Sequence, residues 1–147
     1  MIRRAKTADL GAVQRIVAAA YTPYVARIGR APEPMHDDYT RRVADQDLWV
    51  LDHGGAVIGL VILTDTADGL MVVNLAVDPD HQGSGYGRRL MAFAETEARR
   101  RDHTVVRLYT NVLMTENIAR YLHLGYHETG RDVQMGFDRV LMAKTVG

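Results

Sequence analysis

The chain has 147 residues, 47% of them apolar and 24% charged, and its eighteen basic residues balance its eighteen acidic ones. This length suits a single domain over residues 1–147, and the balanced net charge gives no electrostatic reason to expect nucleic acid binding. Because cysteine is absent, the chain has no disulfide, no thiolate metal site and no cysteine nucleophile.

The chain begins with a predicted strand and an amphipathic helix. Residues 1–6 predict a short strand, and apolar residues recur at helical spacing over residues 7–21. Thr7 or Asp9 suits the N-cap of this helix because both side chains can accept a hydrogen bond from a free backbone N–H group. We therefore expect a capped helix against the sheet.

A proline-rich segment follows. Residues 22–35 hold three of the four prolines, and we expect a short helix over residues 24–28 and then an irregular loop. The sequence HDDYTRRVAD, residues 36–45, predicts another short helix. This region is the least regular part of the chain.

Strands dominate from residue 47. Segments 47–53 and 56–65 flank Gly54-Gly55, a strong signal for a two-residue hairpin. Residues 70–78 are nearly all apolar, as in a strand buried on both faces. A glycine-rich loop, a helix from Gly85 to about residue 101 and a strand over 104–110 come next.

The chain closes with a helix ended near Gly125 and two paired strands, in HETGRDVQM and FDRVLMAK. The element order predicts an α/β (α+β) fold, with a mixed, largely antiparallel sheet of six to seven strands and helices on both faces. The strands at 70–77 and 104–110 form the one clear parallel pair, because a helical crossover joins them.

The loop before the central helix concentrates glycine in DPDHQGSGYGRRL, residues 78–90. Without Cβ atoms, backbone N–H groups can approach a ligand closely. The first N–H groups of the helix lack internal partners, and its dipole adds partial positive charge. The loop therefore suits a phosphate group; the alternative is a tight turn that holds nothing, with solvated arginines behind it.

The glycine spacing excludes the two commoner nucleotide loops. The dinucleotide motif needs its third glycine five positions after the first, and Gly87 comes four after Gly83. No G-K-[ST] occurs, and no H-E-x-x-H indicates a metal site. His123 and His127 are separated by the predicted helix end, so we expect no catalytic metal.

The pattern that remains resembles the GNAT superfamily of N-acetyltransferases. Residues 82–87, QGSGYG, match its hallmark [R/Q]-x-x-G-x-[G/A] between the fourth strand and the third helix. NIARYLHLGY resembles the family's helix–turn signature, and both motifs lie on the expected elements. GRAPEPM and MTENIARY look like a bacterial subgroup without a settled substrate.

The resemblance implies acetyl-coenzyme A as the acetyl donor. In the family the fourth and fifth strands splay apart to admit the pantetheine arm, and the glycine loop holds the pyrophosphate. The donor-binding residues predicted on this basis are Leu75, Ala76, Val77, Gln82, Gly83, Ser84, Gly85, Tyr86, Gly87, Arg88 and Asn117. The family's usual asparagine falls where Met114 stands, so Asn111 competes with Asn117.

The predicted catalytic residues are Tyr121 and Asn74. Tyr121 matches the family's general acid, although helical spacing alone also fits a tyrosine packed in the core. With a pKa near 10, a tyrosine stays protonated at pH 7 and can donate to sulfur. Asn74 cannot take a proton but can orient a water that does; strand alternation places it on one face with Val72 and Ala76.

The acceptor site is expected in the irregular early loop, where the residues that can bind or deprotonate an amine, or line its pocket, are Tyr24, Glu33, Met35, His36 and Asp37, with Tyr21 beside them. Each alternatively packs the loop or is simply solvated. The predicted reaction is direct acetylation of a primary amine, on a small molecule or a peptide, in a ternary complex. The alternative is a non-catalytic acyl-coenzyme A binding or sensing module.

No apolar run approaches the roughly eighteen residues of a membrane span, and no apolar core follows the basic start as in a signal peptide. We therefore expect a cytoplasmic protein that binds no membrane. Many relatives pair, so the resemblance also allows a homodimer, although no stretch of the sequence demonstrates one.

Overall fold

Seven strands form one mixed sheet in the computed structural model, which describes residues 1–147. Their order is β1-β2-β3-β4-β5-β7-β6, and only β4 and β5 are parallel. The strands are β1 (Ile2–Arg4), β2 (Leu48–His53), β3 (Ala56–Thr66), β4 (Gly69–Val77), β5 (Val105–Asn111), β6 (His127–Gln134) and β7 (Phe137–Thr145). The predicted mixed, largely antiparallel sheet is confirmed.

Helices cover both faces of the sheet, as predicted. They are α1 (Leu10–Ile28), α2 (Tyr39–Ala44), α3 (Tyr86–Arg100) and α4 (Thr115–His123), with short 3-10 turns at Thr7–Asp9, Glu33–His36 and Pro79–His81. α1 and α3 pack against the central strands β3 and β4 from opposite sides and bury two separate apolar cores. None of the helices combines the length and apolar character needed to cross a bilayer.

α1 is one continuous helix, so the predicted break before residue 24 is wrong. Pro23 lies inside it and removes only the hydrogen bond to the carbonyl of Ala19. Both residues are exposed, so water can hydrate that carbonyl. The helix ends at Gly29, which has a φ of 91° and donates its N–H to the carbonyl of Val25. The burial of Val13, Ile16, Val17 and Tyr21 holds the helix together across the proline.

Asp9 occupies the N-cap position of α1, but its carboxylate does not cap the helix. It accepts hydrogen bonds from the Lys6 amide at 2.7 Å and from both terminal nitrogens of Arg3 at 2.8 and 3.1 Å. Arg3 also donates to Asp52 in β2 at 3.2 Å. The predicted capping role is therefore replaced by an ion pair that joins the start of α1 to the sheet edge.

The splayed strands position the functional site. β4 and β5 pair only through Leu70–Val106, Met71–Arg107 and Val72–Leu108, and beyond these residues they separate. The register between β3 and β4 shifts at the same level, because Ile62 pairs with Asn74 and Leu63 with Val72. Val73 is thus the extra residue of a β-bulge.

Because of the bulge, Asn74 does not share a face with Val72, contrary to the prediction from the sequence. The sequence places Val72, Asn74 and Ala76 on one face, as in a regular strand. In the structure Val72 packs into the core under α3, whereas Ala76 packs into the core under α1. Asn74 lies on the α1 side with Ala76, because the extra residue shifts the alternation by one position.

We expect Asp9→Asn to lower the free energy of unfolding at pH 7 by about 1.5–3 kcal/mol, the usual contribution of hydrogen bonds to a charged group. Arg3 holds the pKa of Asp9 below its ordinary value of 3.8, so the contribution is complete above that value and is lost as pH falls through the lowered pKa. Urea unfolding at several pH values measures this. Asp138→Asn, at an exposed carboxylate with no side-chain partner, is the control; equal losses in both variants would contradict the assignment.

Candidate active site

A long groove runs across the carboxyl end of β4, between the second half of α1 and the exposed side of α4. Its volume is about 960 Å³. Its walls include Ala20 and Tyr24 from α1, Leu75 and Val77 from β4, and Tyr121 from α4, and the glycine loop closes one end. A groove of this volume is large enough for a sizeable ligand.

The glycine loop presents a row of free backbone N–H groups. The amides of residues 83–88 donate to no group in the chain. Gly83 and Gly85 each have a φ of 85°, which turns the backbone so that α3 can begin at Tyr86. Because these amides gather at the positive end of a fifteen-residue helix, this end of the groove suits an anion.

The remaining predicted loop residues flank these amides. Gln82 Nε2 donates to the carbonyl of Val77 at 3.1 Å, so its side chain ties the loop to the end of β4. The Tyr86 ring packs near His53 and His81, with centroid distances of 5.9 and 6.3 Å. Arg88 is exposed and lines the groove. Asp78 supports the turn by accepting from the amide of Asp80 at 3.0 Å.

The open edge of β4 offers a second set of backbone groups. The amide of Asp78 donates to the carbonyl of Ile58 in β3 at 2.8 Å, and backbone groups alternate sides along a strand. Asp78 and Ala76 therefore turn their backbone groups towards β3, whereas Leu75 and Val77 turn theirs towards the gap. The amide of Ala76 is used in the sheet, and its side chain packs in the core under α1, beside the groove.

α4 brings Tyr121 and Asn117 to the middle of the groove. Tyr121 is half-buried, and its hydroxyl has no hydrogen-bond partner in the chain. Burial raises the pKa of this hydroxyl to about 12. Asn117 Nδ2 contacts the sulfur of Met114 at 3.6 Å. Its competitor Asn111 accepts from the amide of Leu113 at 2.9 Å and so shapes the turn before α4.

A second, smaller cavity lies on the other side of these residues. Its volume is about 40 Å³, and it is lined by the loop 32–34 and by parts of β4 and β5. Four residues line both cavities: Tyr21, Leu75, Asn117 and Tyr121. The two cavities are therefore adjacent, and Tyr121, whose hydroxyl has no partner in the chain, lies between them.

A polar network links Tyr21, which lines both cavities, to the loop that borders the small cavity. Tyr21 Oη donates to Asn74 Oδ1 at 2.5 Å, Asn74 Nδ2 donates to Tyr39 Oη at 3.1 Å, and Tyr39 Oη donates to the carbonyl of Pro34 at 2.5 Å. Burial raises the pKa of both tyrosines, so both hydroxyls stay protonated at neutral pH. The network fixes Asn74, whose predicted role in orienting a water stays a prediction.

The predicted acceptor residues separate in the structure. Glu33 lines the small cavity, whereas Tyr24 lines the long groove. Met35 packs against the core under α1, and exposed His36 lies 3.0 Å from the carbonyl of Ala31. Asp37 pairs with Arg42 at 3.1 Å. Of the five, only Glu33 reaches the small cavity.

Sequence reasoning missed Tyr39, which connects Asn74 to the early loop. It sits in the first turn of α2, far from Asn74 in the chain, and nothing in the local pattern distinguishes it from a packing tyrosine. No group of three or more His, Cys, Asp or Glu side chains could hold a metal ion.

Comparison with known proteins identifies the family. A family profile described as "Acetyltransferase (GNAT) domain" matches residues 44–128, more than half of the chain. The chain therefore belongs to the GNAT acetyltransferase family and is an acyltransferase. A comparison with curated protein sequences found no significant match.

Solved structures with the same fold include the ribosomal-protein-S18-alanine N-acetyltransferase from Escherichia coli, with 22% identity, a TM-score of 0.76 and coverage of 100% of this chain and 94% of that chain. Another is yncA from Salmonella typhimurium with its cofactor acetyl-CoA, with 23% identity, a TM-score of 0.74 and the same coverage. The PaiA N-acetyltransferase from Thermoplasma acidophilum, in complex with coenzyme A, has 17% identity, a TM-score of 0.79 and coverage of 99% and 98%.

We expect Gly85→Ala to destabilise the protein by about 1–2 kcal/mol, because alanine disfavours the positive φ of this position. An added Cβ would have no neighbour within 4 Å, so no steric clash contributes to this cost. Gly87→Ala is the matched control. Its φ is not positive, and the nearest atom would be Val77 Cγ2 at 3.9 Å. Thermal unfolding should show a lower midpoint for the first variant alone; an equal loss in the control would contradict this account of the loop.

Proposed function

We propose that the protein transfers the acetyl group of acetyl-coenzyme A to a primary amine by direct attack. The observation that supports this most is the meeting of the two cavities at Tyr21, Leu75, Asn117 and Tyr121. One cavity is long and ends at an anion site, and the other is small and contains a carboxylate. Such a pair suits a long phosphorylated donor on one side and an amine on the other.

The donor would lie along the groove with its pyrophosphate on the amides of residues 83–88. Its pantetheine arm would pass Leu75 and Val77, whose backbone groups face the gap between β4 and β5. The amides of Leu75 and Val77 are then the candidates to stabilise the thioester oxygen as it gains charge, as main-chain donors do in oxyanion holes. Ala76 would contribute packing, and Asn117 a side-chain contact from α4.

The proposed chemistry needs a neutral amine and a proton for the leaving sulfur. The nitrogen attacks the thioester carbon, the carbon–nitrogen bond forms and the carbon–sulfur bond breaks. Tyr121 would donate its proton to the thiolate, and the proton lost by the nitrogen would restore the hydroxyl directly or through water. With a pKa of about 12, Tyr121 is protonated at pH 7 and available as this donor.

Glu33 is the candidate to bind the amine. A free alkylamine has a pKa near 10.4, so its neutral form costs about 4–5 kcal/mol at pH 7. A carboxylate in the small cavity can attract the ammonium and accept its proton, and a water held by Asn74 can relay it. Tyr24, in contrast, would contact the donor.

The single domain over residues 1–147, the homodimer and the cytoplasmic location stay predictions.

We expect thiol to be released when the protein is mixed with acetyl-coenzyme A and a panel of primary amines, but not with tertiary amines of the same size. Release is measured with a thiol-reactive dye, and the acetylated amine is identified by mass spectrometry. If acetyl-coenzyme A raised the thermal midpoint while every amine failed to release thiol, the protein would be a binding or sensing module, and the proposed transfer would be wrong.

We expect Tyr121→Phe to lower kcat by about 10²–10⁴-fold while leaving the affinity for coenzyme A unchanged, since it removes only the proton donor. Steady-state kinetics and calorimetric titration measure the two effects. Tyr126→Phe is the control, because Tyr126 packs beside Tyr121 at 6.1 Å and its hydroxyl donates to Glu95, away from both cavities. An unchanged kcat in Tyr121→Phe would exclude the acid role.

A further inference from the structure

The size and charge of the small cavity restrict which acceptor it can hold. We propose that the acceptor is a short primary amine whose amine-bearing end, the part that enters this cavity, has about three non-hydrogen atoms with the nitrogen included, and that Glu33 holds its ammonium group. This inference rests on the proposed function, because it concerns the same site. It adds a substrate class, which neither the glycine loop nor Tyr121 can indicate.

The size limit follows from the cavity itself. Its volume is about 40 Å³, and one water-sized group needs roughly 10–15 Å³ of such space. The inner end is closed where β4 and β5 stop pairing, at Val72 and Leu108, which are 3% and 2% exposed. The cavity therefore accepts about three such groups and cannot extend further between the strands.

The outer wall of the cavity is held in place as well. Pro32 and Pro34 restrict the loop that forms it, because proline fixes its own φ. The buried hydroxyl of Tyr39 donates to the carbonyl of Pro34 and accepts from Asn74. The ion pair between Arg42 and Asp37 anchors the loop further along. A larger amine cannot push this wall outward without breaking buried hydrogen bonds.

The charge around the cavity favours a cation. Glu33 is the only charged residue among those that line it, and it makes no hydrogen bond or ion pair within the chain. The neighbouring guanidinium groups are occupied. Arg139 binds Asp132 at 2.8 and 2.9 Å, and Arg30 donates to the carbonyl of Met135 while lying 3.6 Å from the centre of the Phe137 ring. An ammonium group would give Glu33 its missing partner.

The test measures thiol release from acetyl-coenzyme A with glycinamide, alaninamide, leucinamide and phenylalaninamide, which share one amine and one carboxamide and differ only in the side chain that must enter the cavity beside the nitrogen. We expect kcat/KM to fall at least tenfold between alaninamide and leucinamide. Val72→Ala should raise kcat/KM for leucinamide several-fold by enlarging the inner end of the cavity. Leu108→Ala should have the same effect and replaces Val72→Ala in the experiment if that variant folds poorly. Val106 is buried in β5, the strand of Leu108, but lies outside both cavities. Val106→Ala should therefore leave the size preference unchanged.

The charge is tested with Glu33→Gln, which should raise the KM for glycinamide about tenfold and leave the KM for acetyl-coenzyme A unchanged. Equal kcat/KM values for all four amides, or an unchanged KM in Glu33→Gln, would overturn the inference and leave the proposed acetyl transfer intact. The inference would also be overturned if none of the amides released thiol while long or branched amines did. If every amine tested failed to release thiol, the proposed function would be contradicted as well.

Discussion

β4 and β5 stop pairing after Val72 and Leu108, and the site depends on this separation. Backbone groups that lose their partners in a sheet interior must find others. Here the carbonyl of Val77 accepts from the side chain of Gln82, and the carbonyl of Leu75 lies 3.2 Å from the hydroxyl of Tyr21, while the strand edge stays open. The bulge at Val73 lies at the same level and turns Asn74 towards α1. One local irregularity therefore creates the groove, the small cavity and the junction between them.

The buried network shows how polar groups are kept inside this fold. Asn74 is 5% exposed, and its amide is satisfied by two tyrosines that come from different helices. A buried polar group without a partner costs about 1–3 kcal/mol, so the loss of either hydroxyl would leave the amide partly unsatisfied. The same bonds that stabilise the core thus set the distance between α1, β4 and the early loop. Stability and the shape of the site cannot be changed independently here.

Most of the fold could be predicted because it follows local patterns. Alternation, apolar runs and glycine positions indicated all seven strands and the parallel pair. The glycine loop could be predicted too, because its residues are contiguous. The errors have physical causes: Pro23 stays in α1 because packing on four buried residues outweighs one lost hydrogen bond, and Asp9 turns from the helix to Arg3. The face of Asn74 depends on a bulge that no residue spacing indicates. Tyr39 reaches Asn74 only through long-range packing, and local spacing named Glu33 as a candidate but could not separate it from the other residues of the early loop.

The free amides of the glycine loop have a kinetic consequence. Under the proposed function they contact a part of the donor that does not react, so they would bind the acetylated and the free coenzyme equally well. Binding of this uniform kind does not lower the barrier to the chemical step. It makes free coenzyme A a competitor of acetyl-coenzyme A, and turnover then depends on the rate at which the product leaves the groove. The loop that secures the donor would therefore also set an upper limit on the rate when the ratio of free to acetylated coenzyme is high.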